Sequence, residues 1–282
     1  MLPIPFTERM QKMLGEEYEA FEASYALKKK QALRFNPLKG DKEAFLEKVP
    51  FSLSKVEWLE NGYYYEKEDA PGKHPYHEAG VYYIQEPSAQ TPAQLLEARP
   101  GERVLDLCSA PGGKATQIAG AMEGEGLLVC NEYVASRAKI LSENVERMGI
   151  RNALVVNETP QKLAGIFPGY FHRIMVDAPC SGEGMFRKNE DAHTEWSPEN
   201  VQMCADRQDE ILDAAAEMCE KLILFLPEEI AGDVFERGFV ITGGEITGNT
   251  SGRCGGGIYG SALYDGQSTN IIGGDVLISG NQ

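Results

Sequence analysis

The residues best suited to chemistry lie together at 177–188, which read Asp-Ala-Pro-Cys-Ser-Gly-Glu-Gly-Met-Phe-Arg-Lys. The apolar run at 173–176 before them predicts a buried parallel strand, which delivers functional groups at its carboxyl end. There the thiol of Cys180 can attack an electron-poor carbon if its pKa is lowered. The carboxylate of Asp177 can hydrogen-bond a heterocycle's ring nitrogen and exocyclic amine, so the pair suits a pyrimidine. A structural interpretation stays open, with Cys180 as a small buried hydrophobe and Asp177 as a turn residue.

Alternating strands and helices must position this stretch. Short apolar runs predict strands at 103–107, 126–130, 153–156 and 173–176. Helices are predicted at 112–122, in a segment that ends at Gly149 with Leu141, Val145 and Met148 on one face, and from the N-cap Ser197 and Pro198 to about residue 220. This alternation predicts an α/β fold with a parallel, doubly wound sheet.

The end of the first predicted strand is a second candidate site. Residues 106–114 read Asp-Leu-Cys-Ser-Ala-Pro-Gly-Gly-Lys, a turn of small residues that lets the backbone approach a ligand at the positive end of a helix. Glu132 closes the second predicted strand 26 residues after Asp106, where an acid suits a ribose diol. These features indicate an adenosine cofactor, although the glycines do not form the G-x-G-x-x-G of a dinucleotide site. A structural strand-to-helix turn is the alternative.

Four motifs in combination closely resemble the NOL1/NOP2/Sun family of RNA cytosine-5 methyltransferases. They are Cys-Ser-Ala-Pro-Gly-Gly-Lys at 108–114, Glu-Tyr-Val-Ala-Ser-Arg at 132–137, Asp-Ala-Pro-Cys-Ser-Gly at 177–182 and Trp-Ser-Pro at 196–198. The resemblance covers about residues 1–222, and the start of the chain and residues 77–90 look most like the bacterial ribosomal RNA enzymes. It implies that residues 76–226 form a class I methyltransferase core, with a Rossmann-like sheet, that binds S-adenosylmethionine.

The resemblance also implies a role for each site residue. One loop is implied to cradle the methionine end of the cofactor: Cys108, Ser109, Ala110, Pro111, Gly112, Gly113 and Lys114. Glu132 is implied to take the ribose hydroxyls, Asn157 to lie by the adenine, and Arg137 and Lys114 to support the site. Asp177 is implied to border both cofactor and base, and Asp177 and Cys180 are our predicted catalytic residues; no metal is predicted. The implied chemistry is covalent, with a cysteine thiolate adding to C6 of cytosine so that C5 accepts the methyl group.

One departure from the family puts catalysis in doubt. In the family the attacking cysteine belongs to a Thr-Cys pair after the fifth strand, and the cysteine that matches Cys180 assists product release. No Thr-Cys pair follows residues 221–226 here, and neither Cys219 nor Cys254 matches it. We therefore predict impaired activity, with a non-catalytic remnant that binds S-adenosylmethionine and RNA as the alternative. A methyltransferase of small molecules or proteins is disfavoured, because it needs no cysteine beside a base-binding acid.

Residues 1–75 are predicted to form a small, α-rich region that docks RNA. Thr7 is predicted to cap a helix that Gly15 ends, and helical spacing resumes at 16–25. The segment 28–39 is basic, and a solvated helix pair is the alternative to RNA docking. Trp58 and the tyrosines at 63–65 are predicted to be core or packing residues, with base-stacking platforms as the alternative. A helix is predicted at 91–98 with Pro92 in its first turn.

The composition narrows the function classes. The 282 residues carry 27 Lys and Arg against 43 Asp and Glu, which disfavours indiscriminate binding to nucleic acid. Residues 1–50 carry nine basic and eight acidic residues, and residues 201–282 carry four and thirteen, so RNA is expected on the N-terminal side and on patches such as Arg187-Lys188. Neither a signal peptide nor a membrane span is evident, and the six cysteines lack metal-binding spacing. We expect a cytoplasmic monomer with reduced thiols, Cys204 and Cys219 lying in the core.

The segment 227–282 changes character. Fourteen of the thirty glycines lie in 231–282, and a Gly-Gly motif at 243 recurs at 273 in a loose repeat. The repeat resembles those of extracellular parallel β-helix proteins, which need several stacked coils to enclose a core. We interpret this Gly-rich, β-repeat-like tail as foreign to the family, with a genuine variant as the alternative, and expect it to be mobile and open to proteolysis.

Overall fold

The computed structural model describes residues 2–27, 29–187 and 191–219, together with the backbone of residues 240–247 and 271–279. No helix in these ranges combines the length and the apolar character needed to cross a membrane. The elements of the first third are α1 (Ile4–Leu14), α2 (Tyr18–Ser24), β1 (Gln31–Phe35), α3 (Lys42–Lys48), β2 (Ser54–Lys55), β3 (Gly62–Tyr65), α4 (Pro75–Glu78) and β4 (Tyr82–Ile84).

Four of these elements form an antiparallel sheet that the sequence patterns did not predict. The strand order is β2-β3-β1-β4, and the central strand β1 is buried from residue 32 to residue 35. Because β4 pairs with β1, the sheet crosses the predicted division between residues 75 and 76. Tyr63 is buried and Tyr64 and Tyr65 are half-buried, as predicted, but the prediction for Trp58 was wrong, since 52% of this residue is exposed.

Two predicted helix starts were wrong for the same physical reason. Helix α1 begins at Ile4 with Pro5 in its first turn, so Thr7 is inside the helix rather than its cap. The helix expected at 91–98 begins at Pro87 and carries Pro92 internally. Proline suits the first turn because its missing N–H has no helical acceptor there. The predicted end of α1 at Gly15 is confirmed, with a φ of 53° that favours glycine.

The elements between residues 87 and 218 build a second sheet, which is parallel throughout. Its strands are β5 (Arg103–Asp106), β6 (Leu127–Asn131), β7 (Ala153–Val156) and β8 (Arg173–Met175). The helices are α5 (Pro87–Leu95), α6 (Gly113–Ala121), α7 (Ala135–Arg147), α8 (Pro160–Ile166), α9 (Asp191–Glu195) and α10 (Pro198–Met218). Ser197 caps α10 as predicted, its hydroxyl accepting from the Asn200 N–H at 3.1 Å.

The two faces of this sheet are buried against different helices. Val104 and Leu128 belong to one apolar cluster with residues of α5, α6 and α7, whereas Leu105, Val129 and Ile174 belong to another with residues of α8 and α10. Successive side chains of a strand point to opposite faces, so each apolar run supplies both cores. The predicted doubly wound α/β fold is confirmed.

The strand order β7-β6-β5-β8 decides where a ligand can bind. The chain moves outward from β5 through β6 to β7, and then returns to the other side of β5 with β8. Ligands of open parallel sheets bind where the order reverses, because the loops beyond the two neighbouring strands diverge there. The loop after β5 and the loop after β8 therefore border one crevice.

The end of α10 leads back toward this sheet. Cys219 forms a parallel bridge with Phe171, just before β8, and the Phe171 N–H donates to the Met218 carbonyl at 3.0 Å. Residues 221–226, after which the family's Thr-Cys pair would stand, lie outside the described residues, as does most of the segment 227–282. Within that segment, the backbone pairs β9 (Val240–Thr247) in parallel with β10 (Ile271–Ser279).

Candidate active site

The loop at 108–114 joins β5 to the first turn of α6. Gly112 is the N-cap of α6 with a φ of 109°, a conformation that L-residues rarely adopt. A Cβ there would also lie 3.2 Å from Leu141 Cδ1. The Ser109 N–H donates to the Asn131 carbonyl at 2.8 Å, and the Asn144 side chain donates to the Pro111 carbonyl at 2.8 Å. The loop is therefore held by the end of β6 and by α7, with the N-terminus of α6 at its exit.

Glu132 lies directly after β6, and only 4% of it is exposed. Its Oε1 accepts from the Val134 N–H at 2.8 Å, and its Oε2 lies 3.3 Å from Arg137 Nη1. Another nitrogen of Arg137 donates to the Ala110 carbonyl at 2.8 Å, so Arg137 joins the acid to the 108–114 loop. Asn157, after β7, donates to the Glu132 carbonyl at 2.6 Å. The structure therefore brings these predicted residues together at one edge of the sheet.

The loop after β8 meets the same edge through an ion pair. Lys114 Nζ lies 2.6 Å from Asp177 Oδ2, and the two side chains are 15% and 38% exposed. Asp177 therefore retains solvent access, while one of its oxygens holds the first turn of α6. Cys180 is exposed three residues further on. The structural alternative for Cys180, a small buried hydrophobe, is excluded.

The described cysteines differ sharply in environment. Burial, with the nearby carboxylates Asp106 and Glu132, raises the pKa of Cys108 to about 12, and burial also raises the pKa of Cys130. Both are therefore protonated and unreactive near neutral pH. Cys204 is buried in α10 as predicted, whereas Cys219 is half-buried against the cluster that contains Ile211. Cys180 alone among the five described cysteines is exposed.

Sequence reasoning assigned no role to Asp106, which closes β5 and is fully buried. Its Oδ2 accepts from the Ser109 hydroxyl at 3.0 Å, while its Oδ1 has no hydrogen-bond partner among the described residues. Burial raises its pKa to about 7. An acid that ends an apolar strand run and opens a glycine-rich turn was the available signal. We add Asp106 to the candidate site.

This burial predicts a pH effect on stability. Because the pKa of folded Asp106 is raised from 3.8 to about 7, its ionisation disfavours folding, and stability is lost as pH rises through that window. We expect Asp106→Asn to gain stability relative to the wild type between these pH values, by up to about 4 kcal/mol. Urea unfolding from pH 4.5 to pH 8 measures the difference. If the free energy of unfolding of the wild type and of Asp106→Asn changed equally with pH across this range, the assigned pKa would be contradicted.

A cleft of about 810 Å³ lies between β1, α5 and α6, and it is separate from this site. Arg34, Gln90 and Thr116 are among its lining residues, and no predicted site residue lines it. We place the candidate active site at the sheet edge because the charged side chains and the exposed thiol converge there.

The fold and site agree with comparisons to known proteins. The family described as 16S rRNA methyltransferase RsmB/F matches residues 93–222, and that described as the N-terminal domain of 16S rRNA methyltransferase RsmF matches residues 2–87. The solved structure of PH0851 aligns with a TM-score of 0.72 at 25% identity, over 80% of this chain and 53% of that one.

Curated relatives give the same family. Ribosomal RNA small subunit methyltransferase F of Vibrio campbellii is 39% identical over 224 residues, which is 76% of this chain and 47% of the relative. The Serratia proteamaculans protein of the same name is 40% identical over 194 residues, 66% of this chain and 41% of the relative. The chain thus spans about half the length, or less, of these relatives. Across residues 2–87 and 93–222, this chain belongs to the RsmB/F family of 16S rRNA methyltransferases, within the NOL1/NOP2/Sun group, and has the class I methyltransferase fold.

Proposed function

We propose that this chain binds S-adenosylmethionine and RNA as an RNA (cytosine-5)-methyltransferase, with a cytosine of ribosomal RNA as its target. The observation that carries the proposal is the contact between Lys114 and Asp177 at 2.6 Å. It joins the small-residue loop after β5 to the cysteine-bearing loop after β8 at the reversal point of the sheet. A cofactor held by the first loop and a base held by the second would therefore meet in one crevice.

The side chains at the sheet edge fit the proposed cofactor. Glu132 offers a buried carboxylate to the ribose hydroxyls, kept in place by the Val134 N–H and by Arg137. Asp106 Oδ1 is a buried acceptor with no described partner, which suits the cofactor's ammonium group. The N-terminus of α6 suits the carboxylate of the same methionine moiety. When bound, S-adenosylmethionine supplies an electrophilic methyl group.

The second loop supplies the groups proposed to face the base. With Oδ2 paired to Lys114, Asp177 keeps a second carboxylate oxygen that can accept from the exocyclic amine of cytosine. Cys180 presents its thiol three residues later, where the family resemblance places a cysteine that assists product release. Extruding the cytosine from structured RNA would cost a few kcal/mol, which contacts in this crevice would offset.

The proposed RNA-docking surface is the N-terminal region, residues 1–75 extended to the end of its sheet at β4. Trp58 is exposed there, and Lys30 Nζ lies 5.0 Å from the centre of the Tyr64 ring. This region therefore offers both positive charge and aromatic rings, the two features that bind single-stranded RNA. Of the predicted Arg187-Lys188 patch, Lys188 lies outside the described residues. We propose a monomeric, cytoplasmic protein in which the core follows β4 and reaches residue 226, with the segment 227–282 as a separate tail.

A non-catalytic module that binds both ligands is the second candidate. One observation favours it: the sequence after residue 222 holds no Thr-Cys pair. Both candidate functions include binding of S-adenosylmethionine, and only the methyltransferase would transfer its methyl group to RNA.

Calorimetric titration with S-adenosylmethionine tests the shared part of the proposal. We expect saturable heat with one site, because the cofactor-side residues all lie within the family match. Circular dichroism establishes that the same sample is folded. A folded sample that releases no heat would remove the cofactor assignment and both candidate functions with it.

A further inference from the structure

The loop that carries Cys180 is anchored on both sides of the thiol. On one side, the side chain of Gln208, fully buried in α10, donates to the Pro179 carbonyl at 2.6 Å. On the other side, Gly182 adopts a φ of 83° and leads into a short 3₁₀ turn, Glu183–Met185. The exposed thiol therefore lies between the backbone anchor at Pro179 and Glu183, the first residue of the 3₁₀ turn.

Glu183 is a buried carboxylate held by an ion pair with Arg9, whose side chain is 31% exposed. The Glu183 side chain is only 4% exposed, and Arg9 Nη2 lies 2.6 Å from Oε1 and 2.5 Å from Oε2. The Trp196 indole N–H donates to Oε1 at 2.7 Å. A buried carboxylate needs such donors, since an unpaired charge in this environment is strongly disfavoured. The position of Glu183 is therefore tied to that of Arg9, 174 residues earlier in the chain.

Apolar packing joins the same two segments. Phe6, Met10, Phe186 and Trp196 belong to one buried cluster, separate from the two cores that flank the parallel sheet. Phe6 contacts the rings of Phe186 and Trp196 edge-on, with centroids 5.0 Å and 6.0 Å apart. Helix α1 thus forms a small core with the residues that follow the Cys180 loop.

We propose that Arg9 and Glu183 are positioning residues through which helix α1 sets the conformation of the Cys180 loop. Three residues separate Glu183 from Cys180, so release of the ion pair would free one end of the loop while Gln208 still holds the other. The N-terminal region would then do more than dock RNA, because it would also place the thiol. The catalytic meaning of this placement rests on the proposed function, but the placement itself is measurable without it.

The experiment follows alkylation of Cys180 by iodoacetamide in the full chain, read by mass spectrometry of the peptide that contains it. Arg9→Met removes the cation, and Arg9→Met with Glu183→Gln removes both charges while the glutamine side-chain oxygen still accepts from the Trp196 indole N–H. We expect alkylation about tenfold faster in both, a change that corresponds to about 1.4 kcal/mol, because a loop released at residue 183 presents the thiol to the reagent in more orientations. Arg9→Lys should restore most of the wild-type rate, because one Arg9 nitrogen serves both Glu183 oxygens.

Three controls separate positioning from general destabilisation. Arg151→Met removes an exposed arginine before β7 and should leave the rate unchanged. The double variant should keep the wild-type melting temperature, so a changed rate there reports the loop and not the fold. S-adenosylmethionine affinity should be unchanged in all variants, since no hydrogen bond or ion pair described for Arg9 or Glu183 reaches the loop at 108–114.

The outcomes are distinct. A wild-type alkylation rate in the folded double variant would overturn the positioning role. If the folded wild type did not bind S-adenosylmethionine, the proposed function would be overturned, but the alkylation measurement of the loop would remain valid.

Discussion

Methyl transfer by this chain to unmodified ribosomal RNA is expected to be at least about a hundredfold slower than typical enzyme turnover. If the family's Thr-Cys pair supplies the attacking thiolate, no residue of this sequence occupies that position. Cys180 follows Pro179, an arrangement that resembles the attacking cysteine of DNA cytosine-5 methyltransferases, so it is the thiol available for a weak rescue. The attacking sulfur must approach C6 to about 3 to 3.5 Å, and an error near 1 Å costs about a hundredfold.

Radiolabelled cofactor measures this transfer, with Cys180→Ala and Cys254→Ala as matched variants. Cys180→Ala should abolish any residual transfer. Cys254→Ala should leave it unchanged, because Cys254 lies beyond the residues that match the family. Wild-type turnover of about 1 per second or faster would refute the predicted impairment. Transfer that survives in Cys180→Ala would show that another residue supplies the nucleophile.

Cofactor affinity is expected to fall by about 1 to 3 kcal/mol, or roughly 5- to 150-fold, in Glu132→Ala. Hydrogen bonds to a charged group are about twice as strong as neutral ones, and this carboxylate is buried and already oriented by the Val134 N–H. Its removal also frees Arg137 from one of its two contacts with this edge of the sheet, so the 108–114 loop loses order as well.

Calorimetry with S-adenosylmethionine measures the loss, and Glu158→Ala is the matched control. Glu158 lies after β7 and pairs with Lys162 on the surface, so its removal should leave the affinity unchanged. Equal affinities for wild type and Glu132→Ala would mean that this acid does not bind the ribose. Equal losses in both variants would point to a general electrostatic effect.

Much of the core could be read from local pattern. The runs at 103–106 and 153–156 are short, apolar and bounded by turn residues, and the structure confirms both as strands. Gly149, with a φ of 73°, and the Ser197 cap end and begin helices where predicted, because capping depends on residues adjacent in the chain. The N-terminal sheet escaped prediction, since its strands are two to five residues long and β1 buries Arg34 within a basic segment.

The motifs likewise identified the residues of the candidate site, but not their contacts. The sequence by itself determined that Lys114 opens a helix and that Asp177 follows a strand. Their 2.6 Å contact exists only because β8 pairs with β5, which brings the loops after both strands to one edge. Glu183 stands in a polar loop of the sequence, where nothing indicates burial, and only the packing of α1 against that loop encloses it with Arg9. Periodicity and capping act over a few residues, whereas burial and charge pairing depend on which distant segments pack together, and the tertiary structure alone decides that.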